Sequence, residues 1–164
     1  MPRPATLTAV LLLPLLVVAI SAVARPQAPA ADDAKKEAIR KDHLAIEGTW
    51  KAVSIEINGT AIPAGDVAKI RIENGRDGEW TVLVDGAEVA EGTSTIDPTV
   101  TPKTIDFKIT RGNDAGRETY GIYELTDTTR RLCIAEAGRP RPADFSCPAG
   151  SGRTLVVFER VEDR

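Results

Sequence analysis

The chain has 164 residues, with 21 basic and 24 acidic side chains and a formal net charge of −3 at pH 7. A mildly acidic chain of this length offers no broad basic surface to nucleic acid or anionic lipid, and it is long enough to bury one hydrophobic core without a structural metal. The sequence therefore predicts a single globular domain with no nucleic-acid partner and no cofactor.

The first 24 residues have the pattern of a secretory signal peptide. Arg3 is their only charge, residues 9–20 form an apolar run, and residues 21–24 fit an A-x-A cleavage site. The run contains Pro14 and is shorter than the ~20 apolar residues of a membrane-spanning helix, which is the alternative. We expect cleavage after Ala24 and export to the periplasm or the cell exterior, with no membrane-embedded segment afterwards. Because cleavage removes Arg3 and no acid, the net charge would become −4.

A tether and a helix are predicted to lead into the folded domain, which spans residues 32–164. Residues 25–31 are rich in Arg, Pro, Gln and Ala and predict a flexible tether. Residues 32–46 predict a helix, because they begin with aspartates that can cap it and continue with good helix formers. Ile39 and Ile46 give this helix a thin apolar stripe that would dock on the rest of the domain.

Eight stretches with a two-residue alternation of apolar and polar side chains follow the helix. The strands are predicted at residues 48–58, 69–73, 79–84, 87–96, 104–110, 117–125, 130–135 and 153–161. Tight turns such as Asp85-Gly86 separate them, which is typical of antiparallel neighbours, and Gly92 is expected to mark a bulge or bend. Because closure removes the exposed sheet edges, the pattern predicts an all-β, eight-stranded up-and-down barrel over residues 48–161.

The same alternation predicts which side chains fill the barrel. The inward positions are Val53, Ile55, Ile70, Ile72, Trp80, Val82, Val84, Val89, Ile105, Phe107, Ile109, Ile122, Leu132 and Ile134. An eight-stranded barrel can fill itself with side chains or keep room for one small ligand. The inward residues are mid-sized and include few polar groups to orient a ligand, so a filled barrel is favoured over a hollow one.

Cys133 and Cys147 are the only cysteines. In an exported protein such a pair is predicted to form a disulfide, which would close a loop of about fifteen residues and contribute ~3 kcal/mol. The alternative is a reactive thiol, but neither cysteine has a nearby histidine or a Cys-x-x-Cys arrangement to lower its pKa.

Gly48-Thr49-Trp50, which opens the first strand after a helical lead-in, resembles the Gly-x-Trp signature of the lipocalin-type barrel. Further matching pieces follow in order at residues 46–54, 58–59, 63, 92–93, 96–98, 102–106, 121–125, 132–135, 141–142, 145 and 150–152. Together they cover nearly all of residues 41–160. The chain thus resembles a lipocalin-like domain family of uncharacterised function found in exported planctomycete proteins. The resemblance implies a fold and export, and it implies no activity.

The resemblance also implies a contact at the closed end of the barrel. In lipocalins an arginine late in the final strands packs over the tryptophan of the Gly-x-Trp motif. Arg160 is the candidate to lie over Trp50, and Arg153 is the second choice; the alternative is that Arg160 is an exposed strand end. A function is then expected at the opposite mouth or on the loop that carries Cys147.

No catalytic or metal-binding constellation is visible. His43 is the only histidine and lies among helical charges, whereas a metal site or a triad needs several converging groups. Glu118 and Glu124 share one strand face but lie ~20 Å apart, too far for a glycosidase pair. The sequence therefore predicts a protein that is not an enzyme and has no metal site.

Two functions remain open. The first is an exported lipocalin-like domain that binds a small apolar molecule; its candidate contacts are Trp80, Phe107 and Tyr123 in the barrel and Arg139 and Arg141 on the Pro-rich loop. The second is a structural or protein-interaction module of the cell envelope, with a self-filled barrel and an envelope protein as its partner.

Overall fold

The computed structural model describes residues 31–162. The predicted signal peptide lies outside these residues, as does the predicted tether except for Ala31, which already belongs to the first helix. Within the described part of the chain, no helix is both long and apolar enough to cross a lipid bilayer.

Two helices and nine strands are present in residues 31–162. The helices are α1, Ala31–Ile46, and the single-turn α2, Ala64–Val67. The strands are β1, Gly48–Ile57; β2, Thr60–Ala61; β3, Ile70–Asn74; β4, Glu79–Val84; β5, Ala87–Asp97; β6, Lys103–Arg111; β7, Glu118–Leu125; β8, Thr129–Ala135; and β9, Arg153–Arg160. Each of the eight predicted strands is present to within one residue at either end, and only β2 and α2 were not predicted.

The strands form one closed antiparallel sheet. Neighbours from β3 to β9 pair in chain order, and β1 closes the barrel by pairing with β3 on one side and β9 on the other. The two residues of β2 extend the edge of β1 near its end. The predicted all-β, eight-stranded lipocalin-like barrel with a short N-terminal helix is therefore confirmed.

Two glycine-containing sites shape the β4–β5–β6 region as the sequence predicted. Asp85 and Gly86 have φ angles of 51° and 80°, the left-handed pair that a two-residue hairpin of primed type requires. In β5, the register with β6 shifts between Glu91 and Gly92. A Cβ at Gly92 would lie 2.5 Å from the Trp80 ring, so only glycine lets the ring pack flat against this strand.

Two of the predicted interior residues, Val53 and Val89, instead lie on the surface, with 42% and 46% of their area exposed. Val53 is skipped in the pairing of β1 with β9, and Val89 is skipped in the pairing of β4 with β5. Each is the extra residue of a β-bulge. A bulge shifts the two-residue alternation by one. In β1, Trp50 and Ala52 therefore face inwards before the bulge, and Ile55 faces inwards after it.

Ile122 is a third correction to the predicted interior. It is buried, but it alternates with the core residue Tyr123 and pairs with Cys133, so it faces outwards. The long loop of residues 136–152 covers this part of the outer wall, where the Cys133 thiol meets the Ser146 carbonyl. Burial here comes from the loop and not from the barrel interior.

Helix α1 closes one end of the barrel. Trp50 is fully buried beneath it and donates from Nε1 to the Ile46 carbonyl over 2.8 Å. The Arg160 guanidinium lies 4.2 Å from the centroid of the Trp50 ring and donates to the carbonyls of Ala45 and Glu47 at the end of α1. This stacking contributes ~0.5–2 kcal/mol. The contact expected from the resemblance is thus present, with Arg160 as the arginine.

The predicted disulfide between Cys133 and Cys147 is wrong, since both cysteines are free and buried. The Cys147 thiol is directed at the Arg153 and Glu56 carbonyls, at 3.1 and 3.4 Å, whereas the Cys133 thiol meets Ser146. Each thiol therefore has its own backbone partner. Burial raises the pKa of Cys133, so this thiol is also a poor nucleophile.

Candidate functional site: the open mouth of the barrel

The end of the barrel opposite α1 contains a cavity of about 660 Å³. This volume falls in the range of small-molecule sites in proteins, ~300–1,000 Å³. We call this cavity the mouth. It lies where β1, β6 and β8 end and β9 begins. In an antiparallel sheet the last residue of one strand lies beside the first residue of its neighbour, so these positions share one rim.

The floor of the mouth is apolar. Ile57, Ile109 and Ile134 line it from β1, β6 and β8, at the last inward position of each strand. Ile57 is 46% exposed, although a β-branched apolar side chain at an inward position would normally be covered. An apolar ligand seated there would remove this surface from water.

The rim of the mouth is charged. Arg117 is 3.0 Å from Asp114, and Arg139 is 3.7 Å from Glu136. All four side chains are more than half exposed, so these ion pairs contribute little stability and can exchange one partner for another. Arg139 lies against the backbone of Gly152, where an added Cβ would be 3.0 Å from its Nε. The rim can thus present a guanidinium to the polar end of a ligand.

The three aromatic residues predicted to contact a ligand do not line the mouth. Trp80 and Phe107 pack edge to face in the core, with ring centroids 5.8 Å apart. Tyr123 is fully buried at the α1 end and donates its hydroxyl to Asp42 over 2.7 Å. Their packing leaves that part of the barrel filled.

The two arginines predicted on the Pro-rich loop have different places. Arg139 lies on the rim of the mouth. Arg141 instead donates to the carbonyls of Ile105 and Gly121, over 3.1 and 2.7 Å, and forms an ion pair with Asp106. Its guanidinium therefore fastens the loop to the barrel wall, and only Arg139 is placed to meet a ligand at the mouth.

Sequence reasoning missed a polar network beneath α1. Asp42 is buried, and its Oδ2 accepts hydrogen bonds from Tyr123 and from Lys103, both over 2.7 Å. Burial, followed by the hydrogen bond to Asp42, raises the pKa of Tyr123. One signal was available: Asp42 lies between Ile39 and Ile46 on the apolar stripe of the helix, where a charged residue must face the barrel.

The second missed residue is Arg130, which is completely buried inside the barrel. It shares the inward face of β8 with Leu132 and Ile134, so the same two-residue alternation would have placed it inside.

No group of three or more His, Cys, Asp or Glu side chains among residues 31–162 is arranged to hold a metal ion.

Comparisons of the chain with protein-family models, with curated proteins and with solved structures found no match. The fold and the mouth define a small lipocalin-like barrel that is packed at the α1 end and open at the other.

Proposed function

We propose that this protein is an exported, non-enzymatic binding domain that holds a small, largely apolar molecule in the mouth of its barrel. The observation that carries the proposal is the cavity of about 660 Å³ floored by Ile57, Ile109 and Ile134. Apolar surface left exposed in a concave site of this size favours a ligand, because covering it gains ~25 cal/mol per Å².

The rim supports a ligand with one polar end. Arg139 reaches the mouth from the long loop, and its loose contact with Glu136 leaves donor groups available. The alternative function, a structural or protein-interaction module, assumes a barrel filled by its own side chains. Only the α1 end of the barrel is filled in this way. Export rests on the N-terminal pattern of residues 1–24, and membership of the lipocalin-like family of exported planctomycete proteins is part of the same proposal.

A matched pair of variants tests the proposal. Ile57 and Val53 lie on the same strand and are exposed to similar extents, but only Ile57 lines the mouth. The probe is 8-anilinonaphthalene-1-sulfonate, an apolar ring system with one anionic group, titrated by fluorescence. We expect Ile57→Glu to weaken its binding about tenfold or more, since the change places a carboxylate on the apolar floor, and Val53→Glu to leave binding unchanged.

Native mass spectrometry of protein exported to the periplasm adds a measurement that needs no chosen probe. A retained small molecule that is lost in Ile57→Glu and kept in Val53→Glu would support the mouth as the site. Equal probe binding by the wild type and both variants, with nothing retained by the wild type, would refute it.

A further inference from the structure

A groove lies at the α1 end of the barrel, opposite the mouth. It has a volume of about 510 Å³ and runs from the β5–β6 loop, past the end of β7, to residues 143–145 of the long loop. Most of its lining side chains are apolar: Pro98, Val100, Pro102, Leu125, Ala143 and Phe145. Val100 is 43% exposed. A concave apolar surface of this kind favours a partner that covers it.

Helix α1 brings the N-terminal end of the described chain to one wall of this groove. Lys35 lies 2.5 Å from Asp97, the residue that precedes Pro98 on that wall. Seven residues further along α1, Asp42 accepts hydrogen bonds from two other lining side chains over 2.7 Å. Ala31 stands one helical turn, ~6 Å, before Lys35. The chain that precedes α1 therefore joins it beside the groove.

The six residues that precede α1 have a pattern suited to such a groove. They read Arg25-Pro26-Gln27-Ala28-Pro29-Ala30, with two prolines three positions apart. A polyproline II helix has three residues per turn, so both prolines would lie on one face of it. Segments with this Pro-x-x-Pro pattern dock in apolar, aromatic-lined grooves, and they lose little entropy because the prolines already restrict the chain.

The segment is long enough to cross the groove. At a rise of 3.1 Å per residue, six residues of polyproline II span ~19 Å. Phe145 on the far wall stacks against Arg131 of β8, so the groove extends from the start of β6 to β8. That width is two strand spacings, or ~10 Å. The remaining length covers the step from the start of α1 to the near wall.

The groove also carries charge opposite to that of the segment. Its charged lining side chains are Lys103, Glu124 and Asp144. Lys103 is bound to a carboxylate of α1 over 2.7 Å. Glu124 and Asp144 each have one arginine partner, at 3.6 and 3.1 Å, but their side chains are 60% and 65% exposed and can meet a further cation. Arg25 is the only charged side chain of the segment.

We propose that residues 25–30 dock in this groove as a polyproline II segment, with both prolines on its apolar side chains and Arg25 beside the carboxylate of Asp144. The occupant is this chain's own segment because its attachment beside the groove gives it an effective concentration of roughly millimolar. Docking covers the exposed Val100. Among the described residues the groove shares none with the mouth, and the proposal does not depend on the function proposed for the mouth.

Nuclear magnetic resonance of protein with Arg25 as its first residue tests the docking. The amide groups of Gln27 and Ala28 should have order parameters near the ~0.85 of rigid backbone, whereas a flexible chain gives values below ~0.6. Nuclear Overhauser effects should connect the Pro29 ring protons to the Val100 methyl groups. Both results should be independent of protein concentration, because the contact is made within one molecule.

Matched variants separate docking from general order. Val100→Lys places a cation on the apolar wall and repels Arg25, so the order parameters of Gln27 and Ala28 should fall below ~0.6. Val89→Lys is the control, since Val89 is 46% exposed but does not line the groove, and it should leave the order parameters unchanged.

A second pair of variants leaves the folded domain unaltered and decides the question if Val100→Lys does not fold. Replacing Pro26 and Pro29 together by serine should release the segment, whereas Gln27→Ser should not. Low order parameters in the wild type would overturn the proposal and leave the groove to a separate partner, and equal order in the wild type and the double proline variant would also overturn it. Order that rises with protein concentration would do the same, since a second copy would then supply the segment.

Discussion

At the scale of single residues, the buried phenol of Tyr123 couples ionisation to folding. Burial disfavours its charged form, and the hydrogen bond to the Asp42 carboxylate disfavours it further, so its pKa is raised above the ordinary value near 10. The stability contributed by the neutral phenol is therefore fully present below about pH 10. It is lost as the pH rises above that value, because the unfolded chain then releases a proton that the folded chain retains.

We predict that Tyr123 does not ionise while the protein is folded. Tyrosinate absorbance at 295 nm would be titrated in the wild type and in Tyr123→Phe, with near-ultraviolet circular dichroism reporting the folded state. The difference between the two proteins should stay near zero until alkaline unfolding and appear together with it. A difference that grows near pH 10 while the dichroism is unchanged would contradict the prediction.

The roles of single residues were only partly predictable. The expected contact between Arg160 and Trp50 is present because both residues occupy fixed places at the closing strands. The partners of Asp42 lie 61 and 81 residues away, so no local pattern names them. The inward position of Arg130 follows from alternation. Its hydrogen-bond partner Asn74, 56 residues away in β3, could not be predicted from a local pattern.

At the scale of elements, β4 and β6 approach Gly92 of β5 so closely that there is no room for a side chain. A Cβ at this position would lie 2.2 Å from the Lys108 carbonyl oxygen of β6 and 2.5 Å from the Trp80 ring of β4. A backbone carbonyl in a sheet cannot move aside as the end of a flexible side chain can. Substitution must therefore strain the sheet or displace the Trp80 ring.

We predict that Gly92→Ala lowers the free energy of unfolding by about 1–3 kcal/mol, the usual cost of overpacking a core. The matched control is Gly65→Ala in α2, where nothing lies within 4 Å of the added Cβ; it should change stability by less than ~0.5 kcal/mol or raise it slightly. Urea unfolding followed by tryptophan fluorescence measures both. Equal changes in the free energy of unfolding for the two substitutions would show that the close packing at Gly92 does not make an added methyl group destabilising.

The elements themselves could be predicted because alternation and turn residues are local signals. The bulges at Val53 and Val89 could not, since a bulge is a relation between two strands and neither valine differs from an ordinary strand residue. Gly92 was predictable because glycine in a strand is itself a signal. Each missed bulge turned one valine from the interior to the surface.

At the scale of the whole molecule, the barrel combines a packed end and an open end. Whether a barrel is filled depends on which inward side chains lie at the same height, and that depends on the stagger of all eight strands. The large residues Trp50, Tyr123 and Phe158 gather beneath α1, whereas isoleucines and loop residues surround the mouth. Composition alone favoured a filled barrel and gave no sign of this division.

The long loop of residues 136–152 is held to the barrel without a covalent link. Arg141 bonds two backbone carbonyls of the wall, Arg131 donates to the Phe145 carbonyl and stacks on its ring, and Arg153 pairs with Asp144. These contacts hold the middle of the loop, residues 141–145, against the barrel wall. Cys133 and Cys147 are buried beneath it as thiols.

We predict that a reductant leaves the thermal unfolding midpoint of the intact protein unchanged, because there is no disulfide to break. A thiol reagent such as 5,5′-dithiobis(2-nitrobenzoate) should label Cys133 and Cys147 only after denaturation, since both are buried in the folded state. A disulfide closing this loop would contribute ~3 kcal/mol, and its reduction would lower the midpoint by roughly 10 °C. Such a drop, together with unreactive cysteines in denaturant before reduction, would show that the protein carries the bridge after all. An unchanged midpoint with two reactive thiols in denaturant would show instead that the loop is held by its arginine contacts. Arg141→Gln, which removes some of these contacts, should then lower the midpoint although a reductant does not.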